Sequence, residues 1–144
     1  MITVRHILQE KGNKIWSVSP DTMVFDALKL MAEKNLGAVL VMEGTKIVGI
    51  FSERDYARKV ILKGKSSKET PVNEIMTGDV LYVRPNQPIE ECMALMTGKR
   101  IRHLPVLEED NLAGLISIGD VVKAIISEQE FTIKQLEKIG RAHV

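Results

Sequence analysis

Two stretches of the chain set a hydroxyl and a carboxylate three residues apart, directly after a glycine and two apolar residues. They are Gly49-Ile50-Phe51-Ser52-Glu53-Arg54-Asp55 and Gly114-Leu115-Ile116-Ser117-Ile118-Gly119-Asp120. At the start of a helical run, Ser-x-x-Asp is a capping box: the hydroxyl accepts from an early helix N–H, and the carboxylate favours the positive end of the helix dipole. The same free N–H groups attract a phosphate, and an ionised Asp can accept both hydrogen bonds of a vicinal diol. Capping and ligand binding are therefore compatible readings. Arg54 adds a guanidinium fork suited to phosphate oxygens, whereas its counterpart in the second stretch is Gly119. A second cationic pair, Arg102-His103, stands where the first half of the chain has Gly37-Ala38.

No catalytic constellation accompanies these residues, so the chain reads as a non-enzyme. Cys92 lies on the apolar face of a helical pattern and is a core residue, not a nucleophile. No two of the three His have metal-ligand spacing with an acid, and no Ser/His/Asp or Cys/His pairing stands out. Gly64-Lys65-Ser66 matches the end of a P-loop, but the first glycine that motif requires falls at Lys59. Arg58, Lys59, Lys63, Lys65 and Lys68 read as a solvated helix end and linker, with contact to RNA or extended phosphates as the alternative.

The elements that position these residues come in duplicate. From Ile15 onward, each residue matches the one 65 positions later without a gap, through Val60 and Ile125. Val18/Val83, Pro20/Pro85, Val41/Val106, Gly49/Gly114, Ser52/Ser117 and Asp55/Asp120 are identical pairs, and most other pairs exchange one apolar residue for another. Each copy predicts a short strand (residues 15–18; 80–83) stopped by Pro20 or Pro85. A helix follows, with one buried face (Val24, Ala27, Leu28, Met31; Ile89, Cys92, Met93, Met96). Thr22 or Asp21 is expected to cap the first of these helices, and Pro88 suits the first turn of the second. Two hairpin strands come next (38–42 with 47–51; 104–107 with 112–116), then a closing helix, which in the first copy ends near Leu62.

This organisation predicts an α+β fold of two βαββα repeats packed with approximate twofold symmetry. Its parts are residues 1–64, a solvated linker at 65–71, residues 72–128, and a helical extension and tail at 129–144. Val4-Arg5-His6-Ile7-Leu8 loosely echoes Val72-Asn73-Glu74-Ile75-Met76, so a similar short segment precedes each copy. The last helix is expected from Asp120 to about Lys138, with Phe131, Ile133, Leu136 and Ile139 beyond the repeat, which favours a homodimer.

The chain has 144 residues, 27% of them charged, with a formal net charge of +1, so no global field draws it to nucleic acid or an anionic membrane. The longest unbroken apolar stretch, Ala38 to Met42, is far too short to span a bilayer. With a single Cys and no apolar signal at the N-terminus, a cytoplasmic protein is expected. Only 4% of residues are aromatic, too few for a single-strand stacking platform.

The two Gly-apolar-apolar-Ser-x-x-Asp segments, together with Arg102-His103-Leu104-Pro105-Val106, resemble the signature of cystathionine-β-synthase (CBS) domains. The resemblance covers about 130 residues, as a tandem pair. It implies a regulatory module binding an adenosine-containing ligand (AMP, ADP, ATP, NAD or S-adenosylmethionine) between its repeats, and modulating an unidentified protein partner or its own assembly. By the family pattern, Asp55 and Asp120 hold ribose hydroxyls and Ser52 and Ser117 contact phosphate. Backbone and apolar groups of the facing repeat, Ile101 and Pro105 among them, hold adenine. Pairing the motif of one repeat with the strand of the other gathers Arg54, Asp55, Arg102 and His103, leaving Asp120 with Gly37, Ala38 and less positive charge. The alternatives are a nucleotide-independent dimerisation module and a nucleic-acid adaptor using the Arg58–Lys68 run.

Overall fold

The computed structural model describes residues 1–12 and 14–142. In chain order the elements are α1 (Val4–Lys11), β1 (Ser17–Val18), α2 (Val24–Lys34), β2 (Ala38–Glu43), β3 (Lys46–Ser52) and α3 (Glu53–Asp55). α3 continues as a π-helical turn, Tyr56–Ile61, and a 3-10 turn, Val72–Glu74, precedes α4 (Ile89–Lys99), β4 (His103–Glu108), β5 (Asn111–Ser117) and α5 (Ile118–Ala142). The fold is thus of mixed helix and strand, with two small sheets: β1-β2-β3 and β4-β5.

The periodicity of each repeat produces what it predicts. α2 buries Val24, Ala27 and Met31 and stops at Asn35, whose φ of 55° is left-handed; α4 buries Ile89, Cys92 and Met96 and stops at Arg100, also at φ 55°. Both hairpins are antiparallel, and their registers slip at corresponding places, Val41/Met42 and Val106/Leu107. β2 is buried along Ala38–Val41.

Several local expectations are corrected. The first strand is only Ser17–Val18, and residues 80–83 form no strand; Val83 alone bridges Val106. Asp21 and Thr22 do not cap α2, because their side chains bond Ser19 instead and Met23 occupies the cap position. The last helix begins at Ile118, two residues before Asp120.

The chain packs as two units that cut across the repeats. One is Ile15–Leu81; the other joins Met1–Lys14 to Tyr82–Val144. The segment preceding each repeat thus packs in the unit of the other repeat. In the first unit Val24 N–H donates to Thr70 O (2.8 Å), Val72 N–H to Thr22 O (2.8 Å) and Asn73 N–H to Pro20 O (3.1 Å). In the second, Ile89 N–H donates to Ile2 O (3.1 Å), Val4 N–H to Gln87 O (3.0 Å) and Arg5 N–H to Pro85 O (2.9 Å). The carbonyls of Thr70 and Ile2 satisfy the first orphan donors of α2 and α4, where neither Met23 nor Pro88 supplies a side-chain cap, and the remaining four bonds serve the starts of α1 and the 3-10 turn.

Apolar side chains follow the same exchange. Val72 and Ile75 join the core of Val24, Met31 and Phe51, and Val4 and Ile7 join that of Ile89, Met96 and Ile116. Residues 65–71 are accordingly not a wholly solvated linker: Thr70 is buried and its hydroxyl donates to Ser66 O (2.7 Å).

Candidate functional site

Each Ser-x-x-Asp segment lies where the second strand of a hairpin turns into a helix. In the Ile15–Leu81 unit, Ser52 ends β3 in an extended conformation and caps α3. Asp55 N–H donates to Ser52 Oγ (3.2 Å), while Ser52 N–H (3.0 Å) and Oγ–H (3.1 Å) donate to Asp55 Oδ2. Asp55 is 9% exposed, and Lys59, one turn on, sets its ammonium 3.0 Å from Oδ1. Lys59 also donates to Ile75 O (3.1 Å), so the exchanged segment steers this cation. Gly37 and Ala38 lie beside the motif: Glu53 N–H donates to Gly37 O (3.1 Å), and Ala38 pairs with Ser52 across the hairpin. Arg54, next to Asp55, is half-buried.

The other unit repeats the cap with different surroundings. Ser117 N–H donates to Asp120 Oδ2 (2.8 Å), and Asp120 N–H to Ser117 Oγ (3.2 Å). His103 pairs with Ser117, and Ile118 N–H donates to Arg102 O (2.8 Å), so Arg102 and His103 adjoin the motif of their own repeat. Pro105 is buried in β4 opposite Leu115, and Ile101 N–H closes the end of α4 on Met96 O (3.0 Å).

Sequence reasoning missed Lys11. It is far from Asp120 in the chain, but α1 packs in this unit and brings Lys11 Nζ to 2.6 Å from Asp120 Oδ2 and 2.8 Å from Leu115 O. Asp120 therefore has a cation that the uneven distribution of Arg54, Arg102 and His103 did not count. The only sequence signal was the echo between residues 4–8 and 72–76, which marked α1 as part of the repeated architecture without saying where it packs.

The electrostatics follow from this arrangement. Burial opposes ionisation of Asp120, but the hydrogen bonds from Lys11 and Ser117 and the Lys11 charge outweigh it and hold the carboxyl below its ordinary value. His103 is pushed below the usual imidazole value, first by burial and then by Lys11, with Arg102 adding and Asp120 opposing. Beside the ion pair is a cavity of about 210 Å³ between α1 and α5, lined among others by Ile2, His6, Lys11, Asp120, Lys123 and Ser127.

Other candidates have lost their chemistry to packing. Burial, with Glu91 and Glu90 nearby, pushes the Cys92 thiol up to about 11, leaving it a protonated core residue at neutral pH. Within the basic run, Lys59 is committed to Asp55 and Lys68 lies 5.0 Å from the centre of the Phe25 ring. Among the described residues, no group of three or more His, Cys, Asp or Glu could hold a metal ion, and no helix is long and apolar enough to cross a membrane.

Comparison with known proteins gives this arrangement a family. The model of the CBS domain matches twice, over residues 4–62 and 72–127. The chain belongs to the CBS domain family. Among relatives of this CBS pair is the mitochondrial CBS domain-containing protein CBSX3 of Arabidopsis thaliana. It is 39% identical over 144 residues, covering 93% of this chain and 69% of the relative. A solved CBS-domain protein of Burkholderia ambifaria is 56% identical with a TM-score of 0.86, covering 89% of this chain and 96% of that one. A hexameric CBS-CP12 protein from bloom-forming cyanobacteria is 29% identical with a TM-score of 0.77, covering 98% of this chain and 86% of that one, so relatives of this fold include multimers.

Proposed function

We propose that this CBS pair is a non-catalytic regulatory module that binds an adenine nucleotide of the AMP, ATP or NAD class through its Ser52-x-x-Asp55 and Ser117-x-x-Asp120 segments. Its occupancy would modulate a partner protein or the assembly of a homodimer. The observation that carries this reading is the double occurrence of one arrangement: a carboxylate fixed at a helix start, with an ammonium within 3.0 Å in each unit. A carboxylate has about four acceptor sites, so each Asp can keep its cap and still receive ribose hydroxyls. The serine hydroxyl, Arg54 and the paired lysine suit phosphate oxygens, while the N–H groups of Glu53, Asp55, Ile118 and Asp120 are already donated within the fold.

The completeness of both capping boxes favours one rival, a nucleotide-independent dimerisation module in which the motifs only cap helices. Thermal unfolding with AMP, ATP, NAD and adenosine separates the two. A ligand bound only to the folded chain adds about 2.7 kcal/mol at one hundred times its dissociation constant. For a chain of this size that is a shift of roughly 5 to 10 °C. Unchanged midpoints at millimolar ligand, with no heat in titration calorimetry, would leave the dimerisation module standing.

A further inference from the structure

The second unit holds an opening that the first unit fills. In the first, Lys59 reaches from the turn Tyr56–Ile61 to Ile75 O of the exchanged segment (3.1 Å) and so bridges the two. The position equivalent to Lys59 is Ala124, and the echo of residues 4–8 in 72–76 makes Ile7 the counterpart of Ile75. With a methyl in place of a lysine, the gap between α1 and α5 stays open as the cavity of about 210 Å³ beside Asp120. Pockets for drug-sized ligands run from about 300 to 1,000 Å³, so this one suits something smaller than a whole nucleotide.

Its walls carry charges of both signs, most of them already spent. Asp120 is held by Lys11, which also donates to Leu115 O, and Thr3 N–H donates to His6 Nδ1 (2.9 Å). Two charges are left over, Glu10 on α1 and Lys123 on α5. Among the described residues neither has an ion pair or a hydrogen bond. Ser127, one turn beyond Lys123, adds a hydroxyl, and Ile2, Ile7 and Ala124 supply an apolar lining.

We propose that this cavity binds a small apolar α-amino acid, its carboxylate on Lys123 and Ser127, its ammonium on Glu10 and its side chain against Ile2, Ile7 and Ala124. Unlike charges on opposite walls, not paired with each other, suit a ligand that carries both. A plain carboxylate or phosphate would meet Glu10 as a like charge, and a plain amine would meet Lys123 in the same way. The proposal does not rest on the nucleotide reading, because the charges it uses are not those of the Ser-x-x-Asp segments.

Titration calorimetry of the full chain with L-alanine, L-valine and L-leucine tests it. At least one is expected to bind at millimolar concentration or below. The analogues of the tightest binder that lack the ammonium or the carboxylate (4-methylpentanoate and 3-methylbutylamine for leucine) should each bind at least about tenfold more weakly, through loss of one charge-assisted contact. Glu10→Gln should bring the amino acid down to the affinity of the carboxylate analogue, and Lys123→Met to that of the amine. Ala124→Lys gives this unit the side chain that fills the first and should abolish binding, with helix content kept by circular dichroism. No heat with any of the three amino acids at millimolar concentration overturns the proposal. So does an analogue that binds as tightly as its amino acid, which would make the cavity a site for a single charge, or full binding in folded Ala124→Lys, which would put the ligand elsewhere.

Discussion

Lys11 Nζ lies 2.6 Å from Asp120 Oδ2, a pairing between residues 109 positions apart that has no counterpart in the other repeat. The corresponding carboxylate, Asp55, takes its ammonium from Lys59 on its own helix. The position equivalent to Lys59 in the second repeat is Ala124, and the one equivalent to Lys11 in the other exchanged segment is Asp79. The two copies share the carboxylate and the cap, while each unit draws its cation from a different element. Because Lys11 belongs to α1, a ligand that competes for Asp120 acts directly on an exchanged segment.

The first prediction concerns acid. Because the folded pKa of Asp120 is depressed, its contribution to stability is fully present above the unfolded value and is lost as pH falls through the folded one. Both partners are partly exposed, so the pair is worth at most about 1 kcal/mol. Lys11→Met should therefore lower the urea stability by roughly that amount at pH 7, with the difference fading as pH falls below the ordinary Asp value. A gap that persists unchanged at pH 2 would trace the loss to packing of α1.

His103 provides an internal probe of the same pair. Its folded pKa is depressed, so the unfolded chain takes the proton first and stability declines as pH drops from the ordinary imidazole value towards the folded one. Lys11→Met removes a charge that lowers the pKa and should move the titration up. Asp120→Asn removes the charge that raises it and should move the titration down. Proton NMR of the imidazole across pH 4 to 8 reads both, and shifts in the same direction would contradict the assigned electrostatics.

The hairpins and helix faces were legible because burial repeats every two residues in a strand and every three to four in a helix, and both copies obeyed one pattern. The caps at Ser52 and Ser117 were legible for the same local reason. The exchange of residues 1–14 and 65–81 was not, since nothing in Val4 or Val72 records which core receives it. Met23 could not be read as a cap position because its helix is satisfied by the carbonyl of Thr70, distant in sequence. Lys11 was missed as a direct consequence of the hidden exchange.

That exchange can be tested at two glycines. A Cβ at Gly114 would lie 2.5 Å from Leu8 Cδ2, a terminal methyl that can rotate aside. A Cβ at Gly49 would lie 2.8 Å from Met76 Cγ and 3.0 Å from the carbonyl oxygen of Thr77, whose backbone is tied to Ile50 by two hydrogen bonds. Gly49→Ala should cost about 1–3 kcal/mol and Gly114→Ala less, because overpacking is relieved cheaply only where a side chain can yield. Adding Leu8→Ala should remove the steric cost of Gly114→Ala in a double-mutant cycle. Purely additive losses would place Leu8 away from Gly114.

The remaining prediction separates ligand recognition from capping at Asp55. Asp55→Ala deletes the acceptor of Ser52 N–H and the partner of Lys59, a loss on the order of 1–2 kcal/mol that should leave the chain folded. If Asp55 holds ribose hydroxyls, this folded variant should lose its tighter nucleotide site. Asp120→Ala should cost less affinity or affect a weaker site, since Arg54 has no counterpart at Gly119. The Lys11 ammonium narrows that difference, so the two losses are expected to differ in size and not in kind. Arg54→Ala should weaken AMP or ATP far more than adenosine, which has no phosphate for a guanidinium to hold. Titration calorimetry on the three variants decides the matter. Unchanged affinity in Asp55→Ala would confine that residue to capping, and equal losses for adenosine and AMP in Arg54→Ala would remove Arg54 from the phosphate site.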